Sequence, residues 1–289
     1  MIRTTQEGFK ILVRTDGEDM FMFDSGRIDE GIAYIKKHNI RYVGINSFIG
    51  YKASDISFLR ELRDFVEGIT VPEAHFDISV LNELHRLVFL GFADDRKTII
   101  DLSNFPNLTT LACDFSRRLL SLEACERLQN LTLTGFKPRD KTLNEIPPLS
   151  SLNRLALFVT NITSLVGIGQ FPVLEELALY KARQLSDISA LREVRATLKN
   201  LEFDSCKQIG NYEALSEVTA LKKLIIVNSG PIQSLSFVKT LEGLEFLSFV
   251  GTSVIDGDLS PLIGLNYVGF ENKRHYSHTS EELTRNTGS

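Results

Sequence analysis

Leucine recurs along this chain with two nested periods. Between Leu152 and Leu191 one phrase occurs twice: Leu152, Leu155 and Leu157 fall as LxxLxL, and Leu174, Leu177 and Leu179 repeat it 22 residues later. Each copy is followed by a turn and a shorter apolar run. Alternation at period 2 in the xLxL part predicts a strand with one apolar face, because successive side chains leave a strand on opposite sides. The leading leucine and the later apolar run then fill the inside of a coil that returns to begin the next strand. A single coil cannot bury that face alone, so the pattern predicts a tandem stack.

The opening apolar residues fall at Ile40, Val66, Leu84, Leu108, Leu128, Leu152, Leu174, Leu198, Leu221, Leu244 and Leu265, which makes eleven units with steps of 18 to 26 residues. The return segments carry their own echo, DISFL at Asp55, DISVL at Asp77 and DISAL at Asp187, with looser relatives at Ile162, Ile232 and Asp258. Here the Asp or Ser is placed to cap one turn of helix. The spacing leaves room only for short α or 3₁₀ turns on the outer side, which predicts a gently curved body.

Ahead of the repeats, Phe9 to Arg14 and Met20 to Phe23 read as two β-rich runs joined by Thr15-Asp16-Gly17-Glu18-Asp19, a hairpin signal. Ile28, Ile32 and Ile35, behind Ser25 as N-cap, predict an amphipathic helix to about His38. Such a hairpin and helix would cover the first open strand edge of the stack. Residues 1–39 are therefore expected to be a cap and residues 40–270 the array. Residues 271–289 are polar and without period, and are expected to be a frayed tail with Tyr276 and Leu283 available to cover the last strand.

LxxLxL, an Asn or Cys site, an Ile and then DIxxL together resemble the short bacterial leucine-rich repeats of the internalin type over roughly residues 40 to 270. The resemblance implies an α/β solenoid with a concave parallel β-sheet and short helical or irregular convex segments. One departure stands out. The eighth residue after each opening position, where that family places a ladder of Asn, is here Phe48, Ala74, Phe92, Ser116, Phe136, Thr160, Ala182, Cys206, Ser229, Thr252 and Lys273. The turns must be satisfied in another way, by small residues and water, or with Phe48, Phe92 and Phe136 stacked as an inner aromatic row.

The composition narrows the function classes. With 43% hydrophobic and 24% charged residues the chain is of ordinary globular type, and a net charge of −5 argues against tracking nucleic acid phosphates. Residues 1–20 hold no apolar core of signal-peptide length and no run of 18 apolar residues occurs, so a cytoplasmic protein without membrane span is expected. Cys113, Cys125 and Cys206 fit structural sites rather than a disulfide framework or a zinc site. Of the histidines only His275 and His278 are near each other, in HxxH without a companion ligand. The sequons at Asn107, Asn130 and Asn161 suit chance better than glycosylation. No nucleotide-binding, metalloprotease or hydrolase motif occurs, and no catalytic residue, metal or cofactor is expected.

What remains is the surface that the strands show to water. Residues two, four and six places after each opening position should form three outward columns on the concave sheet. These columns gather apolar and aromatic residues that secondary structure forces outward, a composition that marks interfaces. Val88, Leu90, Arg154, Phe158, Tyr180, Ile225, Val227, Phe246, Val250 and Tyr267 are the expected partner-binding residues. The reading that follows is a monomeric, non-enzymatic scaffold with a protein partner on the concave face. Alternatives are an immunity protein or inhibitor occluding a toxin or enzyme, a targeting platform for an associated enzyme, and an exported surface-binding protein.

Overall fold

A computed structural model describes residues 1–14 and 17–285, the last two by their backbone alone. They fall into two compact units, residues 1–128 and 129–289.

The first unit opens with β1 (Ile2–Thr4), β2 (Lys10–Leu12) and β3 (Met20–Met22), paired antiparallel in that order. Of the expected turn between β2 and β3, Thr15 and Asp16 lie outside the described residues. Helix α1 (Ile28–His38) buries Ile32 and Ile35 and ends on Asn39 in the left-handed region. Ser25 is not its N-cap. That position is Arg27, without a side-chain cap, while Ser25 Oγ accepts the Lys52 N–H at 2.9 Å and ties the cap to the first coil.

Parallel strands then follow: β4 (Tyr42–Gly44), β5 (Gly68–Val71), β6 (Phe89–Phe92) and, after the short β7 (Ile100–Asp101), β8 (Thr110–Asp114). A further short strand, β9 (Leu119–Leu120), pairs with β7. The register Gly68↔Phe89 and Ile69↔Leu90 corrects the third coil. It opens at Leu87, three residues later than expected, which replaces unequal steps of 18 and 24 residues by two of 21. Leu84 and Leu87 are both fully buried, so either satisfies the apolar pattern, and only pairing with β5 fixes the phase.

The second unit carries β10 (Asn130–Thr134), β11 (Arg154–Phe158), β12 (Glu176–Tyr180), β13 (Asn200–Asp204), β14 (Lys223–Val227), β15 (Phe246–Ser248) and β16 (Tyr267–Gly269), all parallel and in sequence order. Leu155, Leu157, Leu179 and Leu224 on the inner face are fully buried. Burying each of these contributes roughly 1.5 to 3 kcal/mol. On the outer side both units use short 3₁₀ turns; of the expected Asp caps, Asp77 is the N-cap residue itself, while Asp187 and Asp258 stand one residue ahead of it. The Asp77, Asp187 and Asp258 carboxylates each accept the N–H of the Ser two residues on at 2.9 Å.

The tail is not frayed where it is described. Tyr276 packs edge-on against Phe249 and Phe270, and its hydroxyl accepts the Val254 N–H at 3.0 Å. Helix α2 (Ser280–Arg285) buries Leu283. It starts in a reciprocal cap, the Thr279 N–H reaching the Glu282 carboxylate and the Glu282 N–H reaching Thr279 Oγ1.

The turns that leave the strands differ between the units. In the second, the seventh residue after each opening position from Leu128 to Leu244 lies in the left-handed region: Gly135, Val159, Lys181, Ser205, Asn228 and Gly251. From Gly135 to Asn228 its N–H donates to the carbonyl at the end of the next strand, at 2.8 to 3.0 Å. The reversal turns the eighth residue inward, and Phe136, Thr160, Ala182, Cys206, Ser229 and Thr252 are all buried. Three of these replace the absent Asn ladder. The Cys206 N–H donates to Ser229 Oγ at 3.1 Å, the Ser229 N–H to Thr252 Oγ1 at 3.0 Å, and Ser229 Oγ donates to Val227 O at 2.9 Å. No inner row of Phe48, Phe92 and Phe136 forms, because Phe48 is 91% exposed.

Candidate functional site

Alternation along β10 to β16 sends every second side chain out of the core, and parallel pairing in register sets equivalent residues side by side. Arg154 thus stands beside Glu176, with Nε–Oε2 at 3.4 Å, and Asn200 Nδ2 donates to the other Glu176 oxygen at 3.3 Å. Phe158 stands beside Tyr180, and their rings stack 4.3 Å apart at 9°. At the other end of the unit Phe246 and Tyr267 repeat that stack with the same separation and angle. The Lys223 ammonium lies 5.1 Å over the Phe246 ring. The first stack stands beside small residues, Ala156 and Ala178, both buried.

Phe158, Tyr180, Ile225, Val227 and Phe246 are half-buried, while Arg154, Val250 and Tyr267 are exposed. Rings fixed by a neighbour of the same shape lose little freedom on meeting a partner, and aromatic pairs of this kind contribute roughly 0.5 to 1.5 kcal/mol beyond their burial. Between the stacks, Glu176, Asn200, Glu202, Lys223 and Ile225 line a depression of ≈ 210 Å³. Burial raises the Tyr180 hydroxyl to about 12, helped by its hydrogen bond to Glu202, so it stays a neutral donor at physiological pH. Asn200 and Glu202 escape an apolar-residue search, although the register of Leu198 places both on this face.

In the first unit two expected residues sit elsewhere. Leu90 is fully buried in the core, and Val88 is a half-buried residue ahead of β6, its N–H donated to Glu67 O at 2.7 Å and its carbonyl accepting from Thr109. The three-residue shift of the coil is the reason. It brings out Phe89 instead, which shares the Arg14 guanidinium with Tyr42, at 4.2 and 5.3 Å from the ring centres. Gly68 makes this possible, because a Cβ there would lie 2.1 Å from the Tyr42 ring.

Burial removes the thiols from chemistry. All three cysteines are free, and desolvation pushes Cys125 up to about 11, Cys206 to about 12 and Cys113 higher still, so none is a thiolate near neutrality. Among the described residues no group of three or more His, Cys, Asp or Glu side chains is placed to hold a metal ion, and no helix is long and apolar enough to cross a membrane.

No protein-family model matches the sequence, and no curated protein is detectably similar to it. Solved structures do match. The internalin InlF from Listeria monocytogenes superposes with a TM-score of 0.55 at 18% identity, over 84% of this chain and 71% of that one. TLR13, in its complex with ssRNA13, superposes with a TM-score of 0.51 at 15% identity, over 85% of this chain and 44% of that one. At these identities the likeness concerns the fold, and with the stacked parallel strands and their leucine spacing it establishes a leucine-rich-repeat fold of the internalin-like kind.

Proposed function

We propose that this chain is a non-enzymatic protein-binding scaffold and that the strand face of residues 129–289 receives the partner. The observation that carries this reading is the pair of outward aromatic stacks, Phe158 with Tyr180 and Phe246 with Tyr267, on one sheet face with Ile225, Val227 and Val250. Rigid aromatic residues are the usual energetic centres of protein interfaces. Arg154 adds a charged group able to exchange its bond to Glu176 for one to the partner. The face does not suit RNA, the partner named for TLR13. Glu176, Glu202 and Asp204 stand against Arg154 and Lys223, and Arg154 is already paired, whereas a phosphate backbone needs clustered free cations. Three free buried thiols fit a reducing, cytoplasmic setting.

The test is affinity capture from the source cell with wild type and with the combined Phe158→Glu, Tyr180→Glu, Phe246→Glu variant. The expected result is a partner lost from the variant while circular dichroism remains that of the folded protein. A partner retained equally by both would place binding away from this face.

A further inference from the structure

Phe48 is the most exposed aromatic side chain among the described residues, at 91%, yet the turn that carries it is tightly tied. The Asn46 carbonyl accepts the N–H groups of Ile49 and Tyr51, both at 3.1 Å, and Asn46 Oδ1 accepts that of Phe48 at 2.8 Å. The Ser47 N–H and hydroxyl both donate to the Glu73 carboxylate. Two ammonium groups finish the turn, Lys52 Nζ on Ser47 O and Lys10 Nζ on Ile49 O, each at 2.5 Å. Single exposed apolar residues are common. One fixed on such a backbone is preorganised for burial in a partner, because little freedom is left to lose.

A receiving site lies on the same rim of the same unit. Phe48, Ala74 and Asp95 are each the eighth residue of their coil, counted from Ile40, Val66 and Leu87, and the Ser47–Glu73 bonds tie the first rim to the second. The next two rims enclose an open depression of ≈ 550 Å³ lined by Ala74, His75, Phe76, Asp77, Asp95 and Lys97 among others. That is ample for a phenyl ring, since a cavity of roughly 150 Å³ holds benzene. The exposed His75 ring is its aromatic part, lying 4.0 Å from the Phe76 ring, which is itself buried in the core and holds the imidazole in place. Its border carries the carboxylates of Asp77 and Asp95 against the ammonium of Lys97, whereas the Phe48 turn is flanked by Lys10 and Lys52 against the carboxylate of Glu73.

A projection and a hollow side by side on one surface, with opposite charges around them, are what a two-fold pairing of identical molecules requires. We propose that two copies of this chain associate isologously through residues 1–128. Phe48 of each copy seats against the exposed His75 ring of the other, and Lys10 and Lys52 face Asp77 and Asp95. This departs from the monomer expected from the sequence.

Sedimentation equilibrium of the full chain tests the pairing, at concentrations up to about 1 mM, the range of weak association. Wild type is expected to dimerise and Phe48→Ala to weaken the dimer by about 30-fold or more, the size of an interface hot spot. Phe48 contributes nothing to the core, so circular dichroism of Phe48→Ala should match wild type. Lys52→Glu should weaken association, and adding Asp77→Lys to it should restore it, because each reversed charge again meets its opposite on the other copy. Wild type that stays monomeric over the whole range overturns the proposal, as does Phe48→Ala or Lys52→Glu associating as strongly as wild type.

Discussion

The eighth residue of a coil tells the two units apart. In residues 129–289 it is buried in six successive coils, and the last coil's exposed Lys273 is the exception. In residues 1–128 Phe48 and Ala74 are exposed, and Asp95 and Ser116 half-buried. The cause is one residue earlier. In the second unit the seventh residue takes the left-handed conformation from Gly135 to Gly251, and from Gly135 to Asn228 it gives its N–H to the backbone of the next coil. In the first unit Ser47 and Asp94 occupy that place with ordinary φ, and their N–H groups go to carboxylates, of Glu73 and Asp114. A turn served by backbone can fold its next side chain inward. A turn served by a side chain leaves that residue facing water.

The sharpest way to break this comparison is to remove the same ring from both places. Phe136→Ala should cost about 3 to 5 kcal/mol in urea denaturation, as for a fully buried aromatic residue. Phe48→Ala should change stability by less than about 0.5 kcal/mol. Equal costs would mean that the eighth place serves the core in both units.

The next effect belongs to the hydroxyl ladder. Ser229→Ala leaves the Cys206 N–H without its acceptor inside the protein and should cost about 1 to 3 kcal/mol. Ala74→Ser, at the exposed counterpart, should be neutral by the same measurement.

A smaller effect concerns Val159, a β-branched residue at φ 58°. The left-handed conformation costs most residues roughly 1 to 2 kcal/mol and suits Asn better. Val159→Asn should therefore raise the urea midpoint by the equivalent of about 1 kcal/mol, with the slope of the transition unchanged. Loss of stability would show that its exposed side chain contributes packing.

The smallest effects test what the units share. Bonds from the backbone N–H and hydroxyl of the following Ser hold the Asp77 and Asp187 carboxyls below their ordinary value. A folded-state pKa below the unfolded value of about 3.9 stabilises the protein above that pH, and the contribution disappears as pH falls through the lower folded value. Thermal stability should thus decline below about pH 4. Asp77→Asn and Asp187→Asn should each make the decline slightly shallower, to a similar extent in the two units.

Much of the fold was legible because a leucine period of 20 to 26 residues leaves few ways to bury the chain. The third coil was not, since Leu84 and Leu87 satisfy the pattern equally and hydrogen bonding to β5 selects between them. On the second unit's face the rings of Phe158, Tyr180, Phe246 and Tyr267 follow from counting outward positions, because register in a parallel stack is shared by every coil. The order in the tail was hidden by its polarity, although Thr279 and Glu282 carry the spacing of a reciprocal cap. Phe48 was misassigned for a different reason. Whether a residue after a strand folds in or out depends on backbone conformation at its predecessor, which apolar periodicity does not record.

The relay through Cys206, Ser229 and Thr252 also bears on how such a chain changes length. Each donor reaches a hydroxyl 23 residues ahead, so excising one whole coil here rejoins a donor to an equivalent acceptor. A cut of any other size strands a buried amide. The protein can lengthen or shorten by complete turns of the spiral and resists fractional edits.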